Sequence, residues 1–126
     1  MKKPSRGQVE CTIPVLPVGN LGRSIRFYTE KLGFKLDWRG SVVCSVSRDG
    51  RSIMLRQKRN RETTAPVWVW IGLRSDRLFK SFRAKRVKVL QEPQNHSWAY
   101  EMMFTDADGN VLWLGTERKR DLPLDD

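Results

Sequence analysis

The order of the predicted elements constrains the fold more than any single motif, because the same order occurs twice along the chain. Each half contains one strand, one amphipathic helix and three further strands, with apolar residues at a spacing of two in the strands and of three to four in the helices. The halves lie roughly 55 residues apart. One half alone leaves a face of a four-stranded sheet uncovered. The sequence therefore predicts an α+β fold in which paired βαβββ modules form curved mixed sheets with a cleft.

The first module is predicted at about residues 9–58 of a single domain. Pro14 cannot donate a ladder hydrogen bond, so the first strand is expected at a sheet edge or with a kink. Asn20 and Gly33 have the residue types preferred at the start and end of a helix, and residues 49–50, Asp-Gly, favour a two-residue hairpin turn. The expected elements are a strand at 10–18, a helix at 21–32, and strands at 34–38, 42–47 and 52–57.

The second module is predicted at about residues 66–117, after a polar linker at 59–65 and before a charged tail at 118–126 that is expected to fray. Its strongest signal is the stretch 97–115, where alternating residues flank a turn at 106–110 rich in Asp, Gly and Asn. This predicts a hairpin with a large aromatic content. The expected elements are a strand at 66–72, a helix at 76–86 capped by Ser75, a strand at 87–91 and hairpin strands at 98–105 and 111–114.

Charge is the unusual bulk property of the chain. Lysine and arginine number 24 against 14 acidic residues, which gives a formal net charge of +10. Such a surface attracts polyanions, and it also serves solubility. The basic residues are densest at 48–61, 74–88 and 118–120 but are otherwise spread out, which is more typical of a solvated surface than of a docking face.

Several classes of protein are disfavoured by the sequence. No apolar run approaches the roughly 18 residues of a membrane span. The first seven residues are charged and precede no apolar segment, so we expect a loose tail, no membrane contact and a cytoplasmic location. Cys11 and Cys44 are expected to be reduced and buried, although their number alone also allows a disulfide. The one histidine, His96, is expected on a surface loop, and a zinc site is disfavoured.

Several local strings, taken in order, resemble one protein superfamily over about residues 9–116. The strings are SIRFYTEKLGF at 24–34, DADGNVLWL at 106–114, IPVL at 13–16, WVW at 68–70 and the W-x-x-E pair of Trp98 and Glu101. Together with the βαβββ repeat they resemble the glyoxalase, dioxygenase and bleomycin-resistance superfamily (vicinal oxygen chelate). The last three strings are similar to those of its bleomycin-resistance branch.

The resemblance implies four positions at which enzymes of this superfamily bind a divalent metal through His, Glu or Gln. In this sequence they fall at about Ile13, Arg56 or Gln57, Trp68 and Trp113. Isoleucine and tryptophan offer no lone pair, and Gln57 alone cannot hold a metal. We therefore expect no metal, no other cofactor and no catalytic residue. A glyoxalase- or dioxygenase-like enzyme is the lesser alternative, and an enzyme with a metal-free mechanism is the weakest of the functional hypotheses.

Indole rings at positions implied for metal ligands predict an apolar or stacking pocket. Trp68 and Trp113 lie in the middle of strands, as does Trp70, so packing in the core is the simpler alternative for all three. Glu101 is a candidate for fixing a cationic ligand, with an ion pair to an arginine as the alternative. The predicted ligand-binding residues are Trp38, Trp68, Trp98, Tyr100, Glu101 and Trp113.

The bleomycin-resistance resemblance implies a homodimer that sequesters a toxic small molecule, without turnover, in grooves between its chains. The Pro14 strand resembles the exchanged N-terminal strand of that family. Bleomycin is cationic, and a net charge of +10 would slow its capture by long-range repulsion. An antibiotic or xenobiotic that is planar and neutral or anionic fits the charge better.

A second hypothesis is a nucleic-acid or acidic-partner binding protein on the same fold. The phosphates of the nucleic acid would lie along a basic surface of the protein, and exposed aromatic rings would be available for stacking. A salt titration separates the two hypotheses, because polyanion binding weakens steeply with salt. The residues expected on that surface are Arg48, Arg51, Arg56, Lys58, Arg59 and Arg61.

Overall fold

The computed structural model describes residues 7–126, so the predicted N-terminal tail lies almost entirely outside the described residues. These described residues form eight strands and two helices in the predicted order. They are β1 (Val15–Val18), α1 (Leu21–Arg26, continued by a π-helical turn at Phe27–Lys31), β2 (Lys35–Arg39), β3 (Val43–Arg48), β4 (Arg51–Gln57), β5 (Trp68–Gly72), α2 (Arg77–Ala84), β6 (Lys88–Asn95), β7 (Tyr100–Thr105) and β8 (Val111–Thr116).

The strands form two open four-stranded sheets, ordered β1-β4-β3-β2 and β5-β8-β7-β6. In each sheet the first strand runs parallel to the last strand of its module, and the other pairs are antiparallel. This confirms the predicted α+β fold of two βαβββ modules. The first strand is an edge strand, as its prolines predict, but it begins at Val15 rather than at residue 10 because only this part pairs with β4.

The predicted caps of the first helix are present. Asn20 Oδ1 accepts a hydrogen bond from the Arg23 amide at 2.9 Å, and Gly33 ends the helical segment with a φ of 73°. The prediction of one regular α-helix over 21–32 was wrong, because the segment widens into a π turn after Arg26. There the Thr29 hydroxyl donates to the Ile25 carbonyl at 2.8 Å, a type of contact that distorts helices.

The predicted helix at 76–86 is shorter, and the strand after it is longer than expected. Ser75 Oγ accepts from the Arg77 amide at 3.4 Å, while Asp76 at the N-cap position makes no side-chain capping bond. Arg86 follows the helix with a φ of 61° and so ends it. The helix buries Phe79 and Phe82 against one side of the second sheet.

Both modules contribute to one hydrophobic core. Residues of α1 and the first sheet, such as Leu16 and Tyr28, join residues of the second module, such as Phe82, Phe104 and Leu112. All five side chains are almost completely buried. The two modules therefore share their apolar interior.

The hairpin turn at residues 106–110 also joins the two modules through polar contacts. Tyr28 Oη donates to Asp106 Oδ2 at 2.8 Å, and Asn110 Nδ2 donates to the Pro17 carbonyl at 2.9 Å. Asp108 Oδ1 accepts from the Gly19 amide at 2.7 Å. The two aspartates, predicted only as turn residues, thus also bind the first module.

Tyr28→Phe should lower the free energy of unfolding by about 1.5–3 kcal/mol, because it removes a buried hydrogen bond to a carboxylate. Burial, and then the charge of Asp106, raise the pKa of Tyr28 well above its ordinary value. The stabilisation is therefore complete below the pKa of an unfolded tyrosine and is lost as pH rises towards the folded pKa. Urea unfolding at neutral and alkaline pH measures both effects. Tyr100→Phe is the control, and equal losses in both variants would contradict the assignment.

The C-terminal segment is ordered, so the prediction of a frayed tail was wrong. Asn95 is 2% exposed, and its Nδ2 donates to the Lys119 carbonyl at 2.8 Å while its Oδ1 accepts from the Lys119 amide at 2.8 Å. The backbones of Asn95 and Asp125 are joined by a 2.7 Å bond, and Asp125 Oδ2 accepts from the Asn95 amide at 2.7 Å. These contacts hold the tail across the end of β6.

Asn95→Ala should release the tail at a loss of about 2 kcal/mol, since the four hydrogen bonds of its side chain, to Lys119, Leu122 and Pro123, disappear. Amide hydrogen exchange should then become faster at Lys119 and Asp125 while the β7–β8 amides keep their protection. Asn60→Ala, in an exposed turn, is the control. Unchanged protection at Lys119 in the Asn95 variant would show that the tail is held by other contacts.

The structure also tests the prediction for the two cysteines. Cys44 is buried, as expected, whereas Cys11 is exposed, and both are free thiols. Within residues 7–126, no helix has both the length and the apolar character needed to cross a membrane.

Candidate ligand-binding site

Three indole rings pack against one another on the side of the second sheet that α2 leaves uncovered. Trp68 and Trp70 lie two residues apart on β5, and Trp70 is the cross-strand partner of Trp113 on β8. The Trp113 ring centroid lies 5.0 Å from that of Trp70 and 6.1 Å from that of Trp68, with interplanar angles of 89°. Edge-to-face contacts of this kind are favourable. We call these three rings, with Trp98, the aromatic face.

The alternative that Trp68 and Trp70 fill the core was wrong. Their side chains are 54% and 48% exposed, respectively. The core side of the same sheet is occupied by Phe79 and Phe82 from α2. The two tryptophans therefore point away from the core, and their ring faces are available for contact.

Trp70 lies against bare backbone. A Cβ atom at Gly115 would lie within 2.6 Å of Trp70 Cζ2, whereas a Cβ atom at its cross-strand partner Gly72 would come no closer than 3.4 Å to the Trp70 ring nitrogen. Gly115 therefore allows the indole to lie flat on the sheet, and a larger residue there would displace it.

Glu101 holds two indoles of the aromatic face through their ring nitrogens. Its side chain is 3% exposed, and Oε2 accepts from Trp113 Nε1 at 2.9 Å and from Trp98 Nε1 at 3.4 Å. The predicted ion pair with an arginine was wrong; the charged neighbour is His96, whose Nε2 lies 3.5 Å from Oε1. Both carboxylate oxygens of Glu101 therefore already contact side chains of the site.

His96 is a part of this network and not the surface residue that was predicted. Its ring stacks on Trp98 with centroids 4.5 Å apart and planes 7° apart, and its side chain is 13% exposed. Nδ1 lies 3.0 Å from Asp126 Oδ1, and Nε2 lies 3.0 Å from Gln94 Oε1. One face of the Trp98 ring is therefore covered by the imidazole, while Trp98 as a whole stays 64% exposed.

Asp126 brings the ordered tail to this end of the site. Partial burial raises the pKa of the Asp126 carboxyl, but hydrogen bonds from Ser97 and His96 lower that pKa by a larger amount, so the net shift is downward. A lowered pKa means that the contact stabilises the folded protein above the ordinary aspartate pKa and weakens as pH falls through the folded value. The tail therefore helps to orient His96, and through it Trp98, at neutral pH.

Two predicted site residues lie elsewhere. Tyr100 is on the α2 side of the second sheet, where its ring stacks on Phe79 with centroids 5.5 Å apart. Lys119 Nζ lies over the Tyr100 ring, 5.3 Å from its centroid. Trp38 is on β2 of the other sheet, opposite Ser45, and is 48% exposed. The structure thus brings together four of the six predicted residues and separates Tyr100 and Trp38 from them.

The positions implied for metal ligands do not fit a divalent ion. Gln57 Oε1 accepts from the Leu21 amide at 2.7 Å and its Nε2 donates to the Gly19 carbonyl at 2.6 Å, so both ends of its amide hold the loop before α1. Arg56 makes a bidentate pair with Glu62 and lowers the pKa of that carboxyl to about 2. Within residues 7–126, His, Cys, Asp and Glu side chains form no group suited to holding a metal.

Some residues of the basic surface predicted for nucleic acid are occupied by contacts within the protein. Arg48 Nη1 donates to the Leu32 carbonyl at 2.6 Å and so caps the first helical segment, while Arg56 is neutralised by Glu62. Arg51, Arg59 and Arg61 remain exposed. Arg51 Nη1 also donates to the Asp49 carbonyl at 2.8 Å, so three of the six predicted residues make side-chain hydrogen bonds within the fold.

Three side chains of the candidate site were not among the predicted ligand-binding residues. Trp70 was weighed together with Trp68, because alternate strand residues share a face. His96 and Gln91 gave no such signal. Gln91 lies across from Met103, the neighbour of Trp113, and its side-chain nitrogen is buried with no hydrogen-bond partner in residues 7–126.

Comparison with known proteins identifies the family. The model of the Glyoxalase/Bleomycin resistance protein/Dioxygenase superfamily matches residues 9–114. The chain belongs to this superfamily. A search of curated protein sequences found no match.

Solved structures with the same architecture support the family's fold. The crystal structure of a bleomycin resistance determinant encoded on the transposon Tn5 matches with a TM-score of 0.76 at 16% identity, covering 86% of this chain and 98% of that one. A glyoxalase/bleomycin resistance protein/dioxygenase from Nocardioides matches with a TM-score of 0.72 at 22% identity, covering 96% and 90%. An integron cassette protein from the Halifax Harbour sewage outfall metagenome matches with 0.73 at 26% identity, covering 82% and 95%.

Proposed function

We propose that this member of the superfamily is a metal-free binding protein that sequesters a planar aromatic compound on its aromatic face without converting it. The observation that carries the proposal is the exposure of Trp98 and Trp68, at 64% and 54%, beside a Trp113 ring whose nitrogen is held by buried Glu101. Exposed aromatic surfaces mark sites of interaction, and prearranged rings bind planar ligands with little loss of side-chain entropy. The fold shared with a bleomycin resistance determinant supports sequestration.

A second copy of the chain is the partner we propose for closing the site. The first sheet also exposes apolar side chains, among them Trp38 at 48% and Val15 at 42%. A two-fold axis would place the first sheet of each copy over the aromatic face of the other, giving two equivalent grooves. Trp38 would then contact ligand from the partner side. Sedimentation velocity should give a dimer that Trp38→Lys weakens, whereas a monomer at ligand-binding concentrations would contradict this arrangement.

The charge of the ligand follows from the partners of Glu101. Its oxygens face two indole N–H groups and His96, so the site offers no free carboxylate to a cation. The Gln91 side-chain nitrogen is a donor without a partner in the described residues. With a net charge of +10, these features favour a neutral or anionic planar compound that carries a hydrogen-bond acceptor.

Tryptophan fluorescence tests the proposal with a naphthalene sulfonate, a neutral anthraquinone, an aminoacridine and bleomycin, each with and without added divalent metal. We expect saturable quenching by the anionic or neutral rings, stronger than by the two cations, unchanged by metal and without product. Trp98→Ala should lower that affinity at least tenfold, as removal of a stacking ring does. Leu124→Ala, an exposed apolar residue of the tail, is the control. Metal-dependent turnover, or equal losses in both variants, would refute the proposal.

A further inference from the structure

The side of the second sheet opposite the aromatic face carries an excess of positive charge. There α2 packs Phe79 and Phe82 inward, and residues 74–86 contain six basic side chains but only one acidic residue, Asp76. All six basic side chains are exposed. One of them, Arg83, pairs with Glu92. We call the remaining five the basic face: Arg74, Arg77, Lys80, Lys85 and Arg86.

The nearby carboxylates do not neutralise the basic face. Asp76 Oδ2 lies 3.4 Å from Lys119 Nζ, and Glu92 is occupied by both terminal nitrogens of Arg83. Within residues 7–126, no side chain of the basic face makes an ion pair. Five positive charges without an ion-pair partner in the described residues thus lie on α2 and on the residues that flank it.

The stability of α2 does not explain this arrangement. Lys85 and Arg86 follow the C-terminal end, where the helix dipole favours cations. Arg74 and Arg77 lie at the N-terminal end, where the dipole disfavours them, and the first turn contains no acidic residue. Arg77 and Lys80 are also neighbours of like charge at a spacing of three. The N-terminal cations therefore destabilise the helix locally, and an anionic partner would relieve the repulsion.

The dimensions and chemistry of the face fit a regular row of phosphates. The rise of a helix places Ala84, the last residue of α2, about 10 Å along the axis from Arg77. One strand of a duplex presents about three phosphates over this length. No large hydrophobic side chain of residues 74–88 is exposed. The face therefore offers no aromatic ring to stack on a base and no apolar side chain to insert into a bilayer.

We propose that the basic face binds the phosphate backbone of double-stranded nucleic acid without reading its base sequence. This goes beyond the proposed small-molecule function, because the aromatic face lies on the other side of the same sheet and stays open while a duplex is bound. It also places the nucleic-acid contact on α2 rather than on the surface at residues 48–61 that was predicted from the sequence.

Fluorescence anisotropy with a labelled DNA duplex of about 20 base pairs, at about 50–200 mM salt, tests the proposal. The variant Arg77→Gln, Lys80→Gln, Lys85→Gln, Arg86→Gln should bind at least tenfold more weakly, and its slope of log affinity against log salt should be shallower by about 3. Duplexes of unrelated sequence should bind the unchanged protein alike. Thermal unfolding confirms that the variant is folded.

The matched control removes four charges from the surface predicted first, as Arg51→Gln, Lys58→Gln, Arg59→Gln, Arg61→Gln. It has the same net charge as the α2 variant, and we expect it to lose less than threefold in affinity. Equal losses would show that net charge alone drives binding, and a greater loss in the control would place the site on the surface at residues 48–61. Either result overturns the proposal, as would tighter binding to single strands or to phosphatidylserine vesicles than to the duplex.

Discussion

Glu101→Ala is expected to lower the affinity for a planar ligand at least tenfold and the free energy of unfolding by about 1–3 kcal/mol. The substitution removes the acceptor of the 2.9 Å bond from Trp113 Nε1 and of the weaker bond from Trp98. It leaves a half-buried indole N–H without a partner, which accounts for the loss of stability. Both rings also become free to rotate, which accounts for the loss of affinity. Ligand titration and urea unfolding measure the two effects.

Two further variants separate ring positioning from direct attraction of a cation. Glu101→Gln keeps an oxygen that can accept from Trp113, so it should retain most of the affinity for a neutral planar ligand. Glu92→Ala removes an exposed carboxylate that lies outside the site and should leave binding unchanged. If Glu101→Gln abolished binding of cationic compounds alone, the carboxylate would be a ligand contact and not a positioning group.

Gly115→Ala is expected to remove Trp70 from the aromatic face. The added Cβ would lie within 2.6 Å of Trp70 Cζ2, so the indole must leave the sheet and its perpendicular contact with Trp113. Overpacking of this kind lowers stability by about 1–3 kcal/mol. Near-ultraviolet circular dichroism should lose the signal of coupled indoles, and ligand affinity should fall.

Gly72→Ala is the matched control for this steric effect. Gly72 and Gly115 are cross-strand partners, but a Cβ atom at Gly72 meets only the Trp70 ring nitrogen, at 3.4 Å. Both variants replace a strand glycine by alanine, so they change the backbone entropy of the unfolded chain alike. They differ in the steric clash with Trp70, which only Gly115→Ala creates. If they changed the circular dichroism equally, the close approach of Trp70 to Gly115 would be wrong.

Local signals in the sequence predicted much of the fold. Asn20 caps the first turn of the first helical segment and Gly33 ends its last turn. The Asp-Gly pair at 49–50 forms the predicted hairpin turn, with φ of 52° and 75°. The order of the elements then implied two βαβββ modules and the resemblance to the family. Each of these signals depends on residues close together in the chain, which is why they could be interpreted without a structure.

The details of the site depended on contacts that no local pattern contains. Alternation showed that Trp68 and Trp70 share a face, but not that α2 would cover the opposite one. For Glu101 the alternative was an ion pair with an arginine, because opposite charges attract. In the structure its hydrogen-bond donors are indole N–H groups. His96 was predicted at the surface because a single histidine in a loop is usually exposed. Its contact with Asp126 was not foreseen, since the two residues lie 30 positions apart.

Nuclear magnetic resonance of the indole N–H groups tests the central claim most directly. The chain has five tryptophans, so each signal can be assigned with one Trp→Phe variant. Titration with the tightest planar compound of the panel should shift the signals of Trp68, Trp70 and Trp98 together, with one saturation curve and no product. Saturable binding that leaves these three signals unchanged would contradict the claim that the aromatic face captures the ligand.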